Sequence, residues 1–165
     1  LVGKSIKNPT FTERFGFYKN FIGNPLLKPE ESFGFEIGMD YVLENEQIDM
    51  SLTLFNADLE NEINGFVYDP VTYAYTSGNM NGSSNRKGLE ISLVGDLTET
   101  LSFSSSYTHV KADQKNDGTR VREIRRPNHM ANFGINWAPS SSVKVMMNSQ
   151  FVGSQLDTYL SLIHI

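Results

Sequence analysis

The chain has 165 residues, with 14 Lys plus Arg against 19 Asp plus Glu, a formal net charge of −5. That balance argues against a nucleic-acid or anionic-membrane binder. The absence of cysteine excludes a disulfide framework, a thiolate metal site and a cysteine nucleophile. Aromatics at 12% argue against disorder, and the length suits one domain or a piece of a larger one. Leu1 stands where a Met would begin a protein, so the chain reads as a fragment of something longer. No run of about 18 apolar residues offers a membrane-spanning helix, but a β-barrel hides its apolar face in every second residue.

Alternation governs the chain from the thirties onward. Residues 19–32 read as a long connection. Then Phe33, Phe35, Ile37, Met39 and Tyr41 share one face, opposite Gly34, Glu36, Gly38 and Asp40. The split recurs in Ile48, Met50, Leu52 and Leu54, in Leu89, Ile91 and Leu93, and in Leu101, Phe103 and Tyr107. It returns in Ala131, Phe133, Ile135 and Trp137, and in Val143, Val145, Met147 and Phe151. These faces carry no charge, only an occasional serine (Ser105, Ser149), while the opposite faces are almost wholly polar or Gly. Helix signals are nearly absent.

Three features favour a transmembrane barrel over a soluble β-sandwich, which also alternates. Strands of about 11 residues at about 3.3 Å each, tilted about 40°, rise roughly 28 Å, the thickness of the hydrocarbon core. Connections alternate short (Glu44-Asn45-Glu46, 96–100, 139–142) and long (19–32, around 69–72, 111–128). Tyr41 and Trp137 approach short turns and Tyr107 a long loop, as interfacial girdles would. Between residues 56 and 85 the expectation is one ascending strand running through Ile63 and Phe66 to Tyr68. Its tip is Asp69-Pro70-Val71-Thr72, and the chain returns through Tyr73 and Tyr75.

The motifs then carry a resemblance. Asn8-Pro9-Thr10-Phe11-Thr12-Glu13 resembles the "aPTfTEl" stretch of TonB-dependent outer-membrane receptors. Gly23-Asn24-Pro25-Leu26-Leu27-Lys28-Pro29-Glu30 resembles their "GNPdLkPE" loop, and Glu36-Ile37-Gly38 the "ElG" after it. Lys87-Gly88-Leu89-Glu90, Ser105-Ser106-Tyr107-Thr108 and Arg125-Arg126-Pro127-Asn128-His129 resemble "kGvEl", "aSYty" and "rRPrH". Order and spacing agree over nearly the whole chain. The resemblance implies an all-β fold, a partial transmembrane antiparallel barrel from the C-terminal half of a wall of about 22 strands. The parent would sit in the Gram-negative outer membrane, carry an N-terminal plug, and import a ferric siderophore or cobalamin with energy from the TonB complex. Residues 1–158 read as barrel, whereas 159–165 depart from the family pattern and read as a foreign tail.

The candidate site residues lie in the long connections. Arg120, Arg122, Arg125 and Arg126, with Lys111 and Lys115, make the sharpest basic cluster of an acidic chain. They suit an anionic ferric chelate or lipopolysaccharide phosphates, because guanidinium pairs with both through two bonds; the alternative is a solvated loop paired with Glu123 and Asp113. The prolines of residues 24–30 suit either a vestibule loop or a rigid lead into the strand. Asp113, Asn116, Asp117 and Gly118 have calcium-loop oxygens but no bidentate Glu, so a turn is expected and no metal. His109 and His129, near Asp113 and Ser106, raise a barrel hydrolase, yet no Gly-x-Ser-x-Gly setting appears. The expectation is therefore no enzyme, no cofactor and no nucleic-acid partner. Glu36, Asp40, Asp49, Glu90 and Lys144 are expected to face the lumen.

Overall fold

The structure is a computed structural model and describes residues 1–43, 47–116 and 119–157. The elements are β1 (Val2–Lys7), α1 (Phe11–Phe15), β2 (Glu30–Leu43), β3 (Ile48–Glu60), β4 (Ile63–Asp69), β5 (Ala74–Asn79), β6 (Ser83–Thr98), β7 (Leu101–Asn116), β8 (Thr119–Arg122), β9 (His129–Ser140) and β10 (Val143–Val152). One antiparallel sheet runs β1-β2-β3-β6-β7-β9-β10, with β8 paired to the end of β7. A separate hairpin, β4–β5, stands between β3 and β6.

The register joins the alternating faces into one surface. Ile37, Leu54, Leu89, His109 and His129 lie in one cross-strand row. Met39, Leu52, Ile91, Tyr107, Ala131 and Phe151 form the next. Below them come the rows of Tyr41 and of Leu43, and finally Leu101, Trp137 and Val145. Rows about 6.6 Å apart give a belt of about 26 Å along the strands, close to an outer-membrane apolar band once tilted. Ser105 and Ser149 both pair with Phe133, so each interruption sits beside a large ring. The belt is open to its surroundings, with Ile37 65% exposed. A soluble sandwich would cover that face with a second sheet; among the described residues nothing covers it.

The two ends of the sheet differ as the sequence predicts. β6 and β7 are joined at residues 99–100 and β9 and β10 at 141–142. At the opposite end stand α1, the β4–β5 hairpin, β8 and the loop to β9. The turn expected at Glu44-Asn45-Glu46, the Asp117-Gly118 pair and the tail at 159–165 lie outside the described residues.

Two expectations need correction. The ascending strand does not continue to Tyr68. It stops at Glu60, where Asn61 takes a left-handed backbone (φ 55°) that Asn tolerates, and β4 begins a separate sheet. Residues 111–116 are not loop, since β7 rises past the belt to Asn116, paired with β6 on one side and β8 on the other. The helix α1 and strand β1 escaped the alternation entirely. The helix did leave a signal, the Thr10-x-x-Glu13 capping box.

Candidate functional site

Every buried side chain among the described residues lies at the long-loop end: Phe21, Leu27, Ala74, Ser77, Ser84, Ala112 and Glu123. This end forms a collar, built by the two sequence motifs nearest the N-terminus. Thr10 caps α1: its N–H donates to Glu13 Oε2 at 2.7 Å and its Oγ1 accepts from Glu13 N–H at 3.3 Å. The N–H of Thr10, opposed by partial desolvation, holds the Glu13 carboxyl below the usual carboxylate range. Pro9 leads into that cap, and the Phe11 and Phe15 rings meet at a tilt, centroids 4.7 Å apart.

The second motif is a clasp. The Asn24 N–H donates to Glu13 O at 2.8 Å, its Nδ2 to Ser77 O at 3.0 Å, and its Oδ1 accepts from Leu26 N–H at 3.0 Å. One side chain thus joins the loop to β5, with Pro25 fixing φ inside the turn. A side chain at Gly23 would strike the backbone of Arg14, Phe15 and Gly16, so only Gly permits this crossing. Lys28 exchanges two bonds with the Asn79 amide: its N–H donates to Oδ1 at 2.8 Å, and its carbonyl accepts from Nδ2 at 3.0 Å. After Pro29, Glu30 Oε1 accepts from Ile63 N–H at 2.9 Å and from Lys7 Nζ at 3.0 Å. The residues of this stretch therefore tie α1 and the β4–β5 hairpin to the wall.

The hairpin adds an aromatic cluster. Phe21 meets Phe17 at 4.9 Å and Phe66 edge-on at 5.3 Å, and Tyr75 meets Phe66 and Tyr68 at 6.2 and 5.6 Å. The tip is closed by Asp69, whose carboxylate accepts from Val71 N–H at 2.9 Å and Thr72 Oγ1 at 2.8 Å. Those bonds, the Val71 N–H foremost, hold its carboxyl below the usual range.

Inside the collar, Arg86 Nε donates to both oxygens of Glu123 (3.0 and 3.2 Å), and its Nη2 to Glu62 at 2.9 Å. Ser84 Oγ bonds Glu62, and Arg126 Nε reaches Glu123 at 3.2 Å. Wall, hairpin and basic loop meet at this half-buried network.

The four candidate arginines do not converge on one point. Arg122 Nη2 donates to Arg126 O at 3.1 Å and Ser154 O at 2.9 Å, and its buried Nε has no partner among the described residues. Arg125, at φ 58°, donates its N–H to Leu156 O at 2.7 Å and pairs with Asp157 at 3.0 Å. Arg126 serves Glu123, while Arg120 makes only a long 3.9 Å contact with Asp113, which Lys111 shares at 3.5 Å. Three of the four hold the chain itself. Arg120 and Arg125 keep side chains 59% and 65% exposed.

The two histidines lie on the belt face. His129 Nδ1 meets Tyr107 OH at 2.8 Å, and the two imidazoles stand 4.7 Å apart. Ser106 belongs to the other face, where its Oγ accepts from Asn132 Nδ2 at 3.2 Å, and Asp113 lies four residues beyond His109 along the strand. The elements of a hydrolase are thus split between two sides of the sheet. Tyr107, His109 and His129 instead lie in the two upper rows of the belt and Trp137 in its lowest, whereas Tyr41, expected beside a short turn, falls in the middle row. Glu36, Gly88 and Glu90 lie on the lumen face; Gly88 pairs directly with Phe55, and a side chain at Gly88 would strike the His109 carbonyl and then the Phe55 ring.

An apolar belt between two aromatic rims, short turns at one end and a clasped collar at the other define a wall segment of an outer-membrane barrel. A family profile described as "TonB dependent receptor-like, beta-barrel" matches residues 2–159, and the chain belongs to that family. It lies in the outer membrane of a Gram-negative bacterium. The iron-regulated outer membrane virulence protein of Vibrio cholerae is 27% identical over 148 residues, covering 83% of this chain and 22% of that protein. The catecholate siderophore receptor Fiu of Escherichia coli K12 is 26% identical over 134 residues, 78% of this chain and 17% of that one. The siderophore receptor PirA of Pseudomonas aeruginosa shares the fold at TM-score 0.69, with 19% identity over 92% of this chain and 30% of that structure. The chain thus spans about a fifth of the curated relatives it matches.

Proposed function

We propose that the full-length protein is a receptor that imports an anionic ferric siderophore with energy from the TonB complex, which would act through parts outside this chain. The observation that supports this reading is the family match joined to relatives named as siderophore receptors. The exposure of Arg120 and Arg125, whose guanidinium groups stand on the same rim as the aromatic hairpin, supports this reading. Arg122 and Arg126 would set that rim by holding residues 154 and 123. Bilayer lipid would cover the belt, and lipopolysaccharide phosphates would meet Lys111 and Lys115 above it. No covalent chemistry is assigned to the protein.

The test is binding to the full-length receptor in outer-membrane vesicles, titrating a ferric tris-catecholate and cobalamin in parallel. The expected result is tight binding of the ferric chelate, weakened at least tenfold when Arg120 and Arg125 are both changed to Ala. Tight cobalamin binding indifferent to those changes would move the protein to the cobalamin branch and leave the basic rim structural.

A further inference from the structure

The cross-strand register reveals a charge division on the lumen face. Five successive rows cross the wall below Arg86. From the collar downward they contain Glu36, Glu90, Asp40, Asp49 and Asp96, one carboxylate in each row. All five belong to β2, β3 and β6, all are exposed, and none forms an ion pair with a described residue. Rows about 6.6 Å apart turn them into a continuous file down one half of the wall.

The same rows on β7, β9 and β10 contain no carboxylate. Ser102, Ser104, Ser106 and Thr108 face Asn136, Gly134, Asn132 and Met130, and beyond these lie Met146, Asn148, Gln150 and Val152. Hydroxyl and amide groups dominate. The charged groups of this half stand at its ends, Arg125 and Arg126 in the collar and Lys144 beside the short turn. A polyanion moving down the wall would meet unit charges of its own sign at every row on one half, in a confined space where screening is weak. On the other half it meets neutral donors between cationic ends.

We propose that the anionic chelate crosses the lumen along the β7–β9–β10 half of this wall, steered there by the carboxylate file of β2, β3 and β6. The route rests on the import reading above. It assigns a translocation role to Asn132, Asn136, Asn148 and Gln150, which lie far below the rim that captures the ligand.

The experiment places the same added charge on either half of the full-length receptor in energised cells lacking other iron-uptake systems. Asn132→Asp with Asn136→Asp loads the neutral half almost isosterically; Thr53→Asp adds one more carboxylate to the acidic half. Surface binding and uptake of a radiolabelled ferric tris-catecholate are read separately. The expected result is uptake at least fivefold slower for the β9 double variant with binding unchanged, and within twofold of wild type for Thr53→Asp. Unaltered uptake in the β9 variant, or equal slowing by both, would overturn the route. Should the β9 variant fail to assemble, as unaltered binding would exclude, Asn148→Asp with Gln150→Glu carries the same expectation on β10. A wild-type receptor that neither binds nor imports the chelate would sink the import reading and the route with it. Transport insensitive to the added charge sinks the route alone.

Discussion

The wall and the collar are two solutions to folding within one chain. In the wall, neither face is buried by the described residues: the backbone ladder satisfies the polar groups, and the apolar belt stays open. In the collar, protein buries protein. Phe21 and Leu27 are 3% exposed, and single Asn and Glu side chains join elements far apart in sequence. The wall therefore depends on a repeating pattern that tolerates exchange of one apolar residue for another. The collar depends on individual atoms in individual places. The difference predicts where a substitution is felt through the membrane and where through a hydrogen bond.

The largest effect is expected at the belt. Ile135→Arg puts a charge on the lipid face and should cost about 2–4 kcal/mol near the midplane. Urea unfolding of the full-length protein in vesicles would show it, and a loss no greater than for Asn136→Arg on the lumen face would break the distinction between the faces. Next comes the junction between the regions. Arg86→Ala leaves Glu62 and Glu123 without their shared cation. Because the group is half-buried, the expected loss is about 2 kcal/mol, below the range for fully buried pairs. Hydrogen exchange should quicken at Ile63 and Glu123 and leave the belt amides of β3 unchanged.

The smallest effect is pH-dependent and confined to the collar. Glu13 and Asp69 both have folded carboxyls depressed by backbone N–H donors. Their contribution is present above the ordinary carboxylate range and is lost as pH falls through the lowered folded values. Acidification should therefore loosen the α1 cap and the hairpin tip first. Glu13→Gln, which removes the titrating carboxyl, should abolish the α1 part of that response, whereas Thr10→Ala, expected to cost about 1 kcal/mol, leaves the backbone donor and should keep most of it. Proteolysis near Phe15 as a function of pH reads both; equal loosening of the wall would contradict the separation.

The same contrast explains what the sequence made legible. Period-two alternation is forced wherever one face meets lipid, so β2, β3, β6, β7, β9 and β10 could be read with their orientation. Above the belt both faces are wet, the constraint vanishes, and residues 111–116 looked like loop although β6 and β8 pair them. The break at Asn61 followed from one backbone angle, which no periodicity reports. The collar motifs were visible as words, but their meaning as a clasp depended on Asn24 meeting Ser77 and Asn79 meeting Lys28, contacts 53 and 51 positions apart. The arginine cluster was visible as charge; that Arg122 and Arg125 would grip residues 154–157 was not, because carbonyl acceptors leave no mark on composition.

The β4–β5 hairpin has one consequence for engineering. Its ends close on themselves, with Met80 N–H donating to Glu62 O at 2.8 Å, while the wall beneath is already paired from Glu60 to Ser83. The insert is thus joined covalently at one stalk, while Ser77 and Asn79 dock it on Asn24 and Lys28. Exchanging only its distal part, residues 66–73, would leave both the strand ladder and that clasp in register, so a foreign epitope could be displayed at the loop end without recutting the barrel.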